Sequence, residues 1–128
     1  MATRAVHTDG APAAIGPYSQ AVVAGRFVFT AGQIGLDPAT GKMVDGGVEA
    51  QTHRALTNLG AVLTAAGSGF GSVVKTTVFV ADMADYAAVN AIYADYFLEP
   101  FPARSAVAAK TLPAGALVEI EAVAVVST

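Results

Sequence analysis

The spacing of apolar residues changes at Val48, and that change limits what the chain can fold into more than any other feature. Val48, Ala55, Leu59, Val62, Leu63 and Ala66 fall on one face of a helix. Glu49, His53, Arg54 and Asn58 fall mostly elsewhere, where solvent would receive them. Gly67 follows as a natural C-terminal stop. The spacing therefore predicts a helix over 48–66. His53 reads as a surface residue on it rather than a catalytic one.

Strand patterns lie on either side. Ala11 to Pro17 holds two prolines and a glycine and reads as a loop. Tyr18–Val23 and Arg26–Ala31 flank Ala24-Gly25 and predict a hairpin. Asp37 to Lys42 is a turn, with Pro38 and Gly41 in favoured places. Val73–Val80 is rich in β-branched residues and predicts a strand. Asp82 can cap a second helix, along which Tyr86, Val89, Ile92, Tyr93, Tyr96 and Phe97 recur as a core stripe. Asn90 sits beside that stripe, where it can tether a nearby loop. Arg104–Lys110 and Leu117–Val126 predict two last strands. The order is hairpin, helix, strand, helix, strand, strand. An α+β fold satisfies it, a two-layer arrangement with two helices on one face of a mixed β-sheet.

The 128 residues suit one domain, spanning 1–128. Hydrophobic residues make up 54% and charged ones 13%, so apolar surface is in excess and a subunit interface is expected. No apolar run approaches the roughly 18 residues of a membrane span, and the N-terminus lacks a signal-peptide core. The expectation is a soluble, cytoplasmic protein with no membrane partner. A net charge of −3 and scattered basic residues argue against nucleic acid. There is no cysteine, and His7 and His53 have no metal-binding spacing, so no metal is expected.

One charge stands out. Pro100 and Pro102 bracket Phe101, and Arg104 then opens the apolar run Ser105-Ala106-Val107-Ala108. A guanidinium there is costly to bury unless an anion meets it, and its planar fork suits a carboxylate. Alternation puts Arg104, Ala106 and Ala108 on one strand face, with Ser105 and Val107 on the other. In the final strand, Glu119 and Glu121 share a face opposite Val118 and Ile120. Two accounts stand at this point. Arg104 forms a structural salt bridge with one of these glutamates, or it awaits the carboxylate of a ligand.

A set of segments then resembles the RidA family, the reactive intermediate deaminases formerly called the YjgF family. They are Ala13 to Gln20, Gly32-Gln33-Ile34, Val74 to Val80, Val89-Asn90, Phe101 to Ser105 and Val118 to Ala122. The match runs in order along nearly the whole chain. The resemblance implies a chorismate-mutase-like fold and a homotrimer with ligand clefts between subunits. It implies cofactor-independent hydrolysis of enamines and imines to 2-oxo acids and ammonia. Its substrates would be 2-aminoacrylate, 2-iminopropanoate and 2-iminobutanoate. By position, Arg104 would hold the substrate carboxylate and Glu119 would activate water and move protons. Tyr18 would line the cleft, and Asn90 and Gly32 would support it.

Two positions depart from the family pattern. Ala31 stands where many members have Ser, and Ala106 where many have Cys, so each removes a polar atom from the expected cleft. Alternation points Thr30 and Ser105 away from it, while the backbone N–H of Ala106 remains. Two other functions compete with the deaminase. One is a non-catalytic binding module for small 2-oxo or amino acids. The other is a structural or stress-linked interaction protein in which Arg104 and Glu119 pair.

Overall fold

Gly25 and Arg26 alone separate two paired strands, and Gly25 takes a positive φ of 61° that closes the turn. The strands are β2 (Ala21–Ala24) and β3 (Phe27–Thr30). They form the expected hairpin in a computed structural model that describes residues 2–127. Around it the chain builds β1 (Thr3–Val6), α1 (Gly47–Ala65), β4 (Val73–Val80), α2 (Tyr86–Tyr93), β5 (Ala103–Ala108) and β6 (Val118–Val125). The strands join in one six-stranded sheet of order β1-β2-β3-β6-β4-β5. Among the described residues only β4 and β5 pair in parallel. A parallel pair needs a crossover, and α2 supplies it. No helix among the described residues is long and apolar enough to cross a membrane.

The sheet has two unlike faces. Val28, Thr76, Val78, Val80, Val118, Ile120, Ala122 and Ala124 point to one side and are buried. Leu56, Leu59, Val62 and Leu63 of α1, and Val89 and Tyr93 of α2, cover that side. The mixed α+β architecture with both helices on one face is the expected one. On the opposite face Phe27, Phe29 and Val107 remain 43%, 48% and 44% exposed. Phe29 pairs with Val123 and Phe27 with Val125, so an apolar strip crosses the middle of the open face.

Several local expectations change. β1 is a strand the pattern did not announce, because only Val6 of its four residues is buried. A mostly exposed edge strand carries no alternation. Tyr18 to Gln20 lie outside β2, because the Gln20 side chain is drawn to the backbone of Thr8, Ala11 and Pro12. Asp82 caps a 3-10 turn, Met83–Asp85, by accepting from the Ala84 N–H at 2.9 Å, and α2 starts after it. Tyr96 and Phe97 lie beyond α2, although Phe97 still stacks on Tyr93 at 4.3 Å between centroids. Asn58 is fully buried and not a solvent-facing residue. Its amide donates to the carbonyls of Ile34 (3.1 Å) and Leu36 (2.8 Å), and its oxygen accepts from Arg54 Nε. A buried amide with all those bonds made is stable inside, and it fixes the loop after β3 to α1.

Candidate active site

Arg104 leaves the proline-bracketed turn and enters β5 opposite Thr76 of β4, which in turn pairs with Ala122 of β6. Paired residues of neighbouring strands share a face, so Arg104 points to the helix-covered side. There α2 meets it with Tyr86, Asn90 and Tyr93, residues four and three apart and hence neighbours on one stripe. Arg104 Nη1 donates to Asn90 Oδ1 at 2.7 Å, and Nη2 donates to the Tyr86 hydroxyl oxygen. The guanidinium carbon lies 4.8 Å from the Tyr93 ring centroid, within cation–π range. The Tyr93 hydroxyl is itself hydrogen-bonded to Thr76 Oγ1 at 2.7 Å, and burial raises its pKa above the ordinary value. Asn90, Tyr93, Ala94, Phe101, Pro102 and Arg104 line a cleft of about 380 Å³.

Among the described residues of the chain, no carboxylate meets this guanidinium. The one ion pair among the described residues joins His7 and Asp9. Within one chain, therefore, no salt bridge joins Arg104 to a glutamate of the final strand. Glu119 and Glu121 pair with Phe79 and Thr77, which pair with Val107 and Ser105. That register sends both carboxylates to the open face, opposite Arg104.

Glu119 has surroundings of its own. Gln33 bridges to Ile120, with backbone bonds of 2.8 and 3.0 Å in the two directions, and this lays Gly32 against the Glu119 side chain. The fit is tight: a Cβ on Gly32 would stand 2.5 Å from Glu119 Oε2. Only glycine leaves room for the carboxyl group there. Tyr18, Ala31, Gly32, Leu36, Pro113 and Glu119 are among the residues that line a cavity of about 430 Å³. Ile15, 91% exposed, stands at its margin on the N-terminal loop. Burial, and then the neighbouring Glu121, raise the Glu119 pKa above the ordinary carboxyl value. Buried amides hold the loops around this cavity. Gln20 holds the N-terminal loop, and Gln51 Oε1 accepts from the Leu117 N–H at 2.8 Å just before β6. Gly35 lets the loop after β3 approach α1, since a Cβ would lie 2.7 Å from the Gln51 Cα.

The structure thus brings Tyr18, Ala31, Gly32 and Glu119 together, and separately Asn90 and Arg104. Ala106 follows Arg104 along the same face, half-buried against the core, and lines neither cavity. Thr30 and Ser105 are engaged elsewhere. Thr30 Oγ1 accepts from the Ala122 N–H, and Ser105 Oγ accepts from Lys75 Nζ at 3.3 Å. Tyr86 and Tyr93 were hidden from sequence reasoning as members of an apolar stripe. The signal that could have found them is their spacing about Asn90, which puts two phenols and an amide on one side of α2. Among the described residues no group of three or more His, Asp or Glu side chains could hold a metal ion. The arrangement can bind an anion at one centre and exchange a proton at the other.

Residues 8–126 match the family described as Endoribonuclease L-PSP. A human 2-iminobutanoate/2-iminopropanoate deaminase is 52% identical over 122 residues, 95% of this chain and 89% of that protein. A RutC family protein of Synechocystis is 55% identical over 130 residues and the full length of both. Among solved structures, the Yersinia pestis protein YyfA, described as of unknown function and of the conserved Rid family, superposes with a TM-score of 0.95. It is 47% identical, with 98% of this chain and 100% of that one covered.

Proposed function

From membership of the RidA family, to which this chain belongs, we propose that it hydrolyses small 2-imino acids to 2-oxo acids and ammonia. The substrates are 2-iminopropanoate and 2-iminobutanoate, with their enamine tautomers such as 2-aminoacrylate. Arg104 holds the substrate carboxylate through two charge-assisted bonds. Glu119 takes a proton from the attacking water as the C=N carbon is attacked. The nitrogen is protonated, the carbinolamine collapses, and ammonia leaves as the carbonyl forms. An enamine is first protonated on carbon, and that proton can come from the protonated Glu119 carboxyl. A carboxyl with a raised pKa is suited to give as well as take a proton. Imines hydrolyse readily, so orientation and one acid–base group suffice, with no cofactor. Tyr18, Ala31 and Gly32 shape the pocket, Asn90 steadies Arg104, and Ala106 offers its backbone N–H.

The observation that carries this reading is a guanidinium gripped by uncharged side chains and facing a cleft lined by no carboxylate among the described residues of its own chain. Arg104 and Glu119 lie on opposite faces of one sheet, so one chain does not assemble the site. We propose that the Arg104 half of one subunit meets the Glu119 half of another in a cytoplasmic homotrimer. The exposed strip of Phe27 and Phe29 beside Val123 and Val125 supports a large apolar contact on the Glu119 face. The endoribonuclease description finds less support, since the net charge is −3 and the basic residues form no run to track phosphates.

The test generates 2-iminopropanoate in place and measures ammonia release, beside light scattering at micromolar concentration. The expected result is catalysis above buffer by a species of about three chain masses. A monomer, or a trimer with no rate above buffer, would sink the proposal.

A further inference from the structure

The Arg104 half of the site contains two side chains to which nothing so far gives a role. Tyr86 does not line the cleft, yet its hydroxyl accepts from Arg104 Nη2. Tyr93 presents its ring to the guanidinium at 4.8 Å and is anchored through its own hydroxyl to buried Thr76. Asn90 takes Nη1. The cation is thus held at both terminal nitrogens and under one face.

None of these partners is a carboxylate. A carboxylate in their place would fix the arginine equally well but cancel its charge. The neutral set fixes the geometry and leaves the charge for a ligand. It also leaves donors: a guanidinium has five N–H groups, and the bonds to Asn90 and Tyr86 use one on each terminal nitrogen. One N–H remains on each, which is what a two-bond fork to a carboxylate requires. A free arginine side chain has many rotamers to lose on binding. Holding it beforehand removes that cost from the binding step.

We infer that Tyr86 and Tyr93 are positioning residues that preset Arg104 for a carboxylate ligand before it arrives. This rests on the function proposed above for the ligand, but the preset arginine itself can be observed without one. Tyr86 acts through a hydrogen bond that phenylalanine lacks, while its ring is kept. Tyr86→Phe is therefore the mild variant that isolates the effect.

The experiment uses the full chain labelled with ¹⁵N-arginine and without ligand. In the wild type, rotation about the Arg104 Cζ–Nη bonds should be slowed, so that its terminal N–H signals are separate. In Tyr86→Phe the Nη2 signals should average, while Asn90 still holds Nη1. In the coupled assay with 2-iminopropanoate, KM should rise about tenfold, the loss expected for one hydrogen bond to a charged group. kcat should change far less, because carboxylate binding is common to ground and transition states. Averaged Arg104 signals already in the wild type would overturn the inference. So would unchanged signals and KM in Tyr86→Phe, even if its melting temperature fell, since that is a packing role alone. Should the wild type release no ammonia, the function proposed above fails, and the arginine signals still support or overturn the preset cation.

Discussion

Arg104 lies among polar side chains of one helix, whereas Glu119 lies in a cavity walled by Pro12, Ala13, Ile15, Leu36 and Pro113, with Tyr18 at hand. The first charge is kept by hydrogen bonds and a ring face that cost nothing in charge. The second is kept half-buried with little to stabilise its ionised form, so its pKa rises. Polar packing holds a permanent cation in place for an anion to find. Apolar packing turns an ordinary carboxyl into a group that can exchange protons nearer neutral pH. Under the proposed function, recognition and proton transfer make opposite demands on their surroundings, and the two faces of the sheet would meet them separately.

Replacing the cation should break this contrast most visibly. Arg104→Ala should lower kcat/KM for 2-iminopropanoate about 10³-fold, near 4 kcal/mol of lost pairing to the substrate carboxylate. Stability should change by about 1 kcal/mol or less, since no carboxylate of the same chain among the described residues is bonded to the guanidinium. Arg104→Lys should recover little, because an ammonium lacks the fork. Melting temperature and ammonia release on the same preparation check both halves. A large drop in melting temperature with undiminished activity would mean that the arginine is structural after all.

The carboxyl side should respond in the opposite sense on stability. Glu119→Gln should cost about 10²-fold in rate, the low end for an acid–base group, because the imine is itself reactive. A carboxyl whose folded pKa lies above its unfolded one contributes stability only at low pH, and that stability is lost as pH rises through the folded value. The ionised Glu119 is therefore unfavourable at neutral pH, and the amide relieves it. Glu119→Gln should melt higher than wild type at pH 7 and show no such gain near about pH 3, below the ordinary glutamate pKa, where the carboxyl is protonated in both states. The wild-type rate should fall on the acid side with a midpoint above the ordinary glutamate value. A rate flat through that range would remove the base role.

Gly32→Ala tests the same cavity with a smaller change. The added methyl would meet the Glu119 carboxyl group at 2.5 Å and push it aside. The side chain can swing, so the loss should be about tenfold, less than the roughly 10² that a full ångström of misplacement can cost. Arg104 is on the other face, so affinity of the free enzyme for a 2-oxo acid should hardly move. A loss of affinity equal to that of Arg104→Ala would mean that the two centres do not divide the work as proposed.

Much of the fold is legible in the sequence alone. The helix over Val48–Ala66 and the strand Val73–Val80 repeat their periods long enough to dominate local noise, and both stand within a residue of where they were expected. β1 was not legible because its exposed residues need not be apolar. Asn58 looked polar and therefore external, yet the loop carbonyls of Ile34 and Leu36 make a buried place for it. A single helix face cannot announce the carbonyls that will pack on it.

For the site, the sequence by itself determined which charges interrupt apolar strands, Arg104 with Glu119 and Glu121, and which residues share a face within each strand; only the family resemblance picked out Glu119. Alternation is a local property, set by the geometry of successive Cα–Cβ bonds. It is silent on which face of one strand matches which face of the next. That is a matter of register, and a shift by one residue turns every side chain over. Only the tertiary pairing of Thr76 with both Arg104 and Ala122 decided that the arginine and the glutamate lie on opposite sides. The same pairing brought β5 under α2, where Tyr86, Asn90 and Tyr93 close on the guanidinium. Those contacts join residues distant in the chain, and their energies depend on how strands and helices stack rather than on the identity of any one residue.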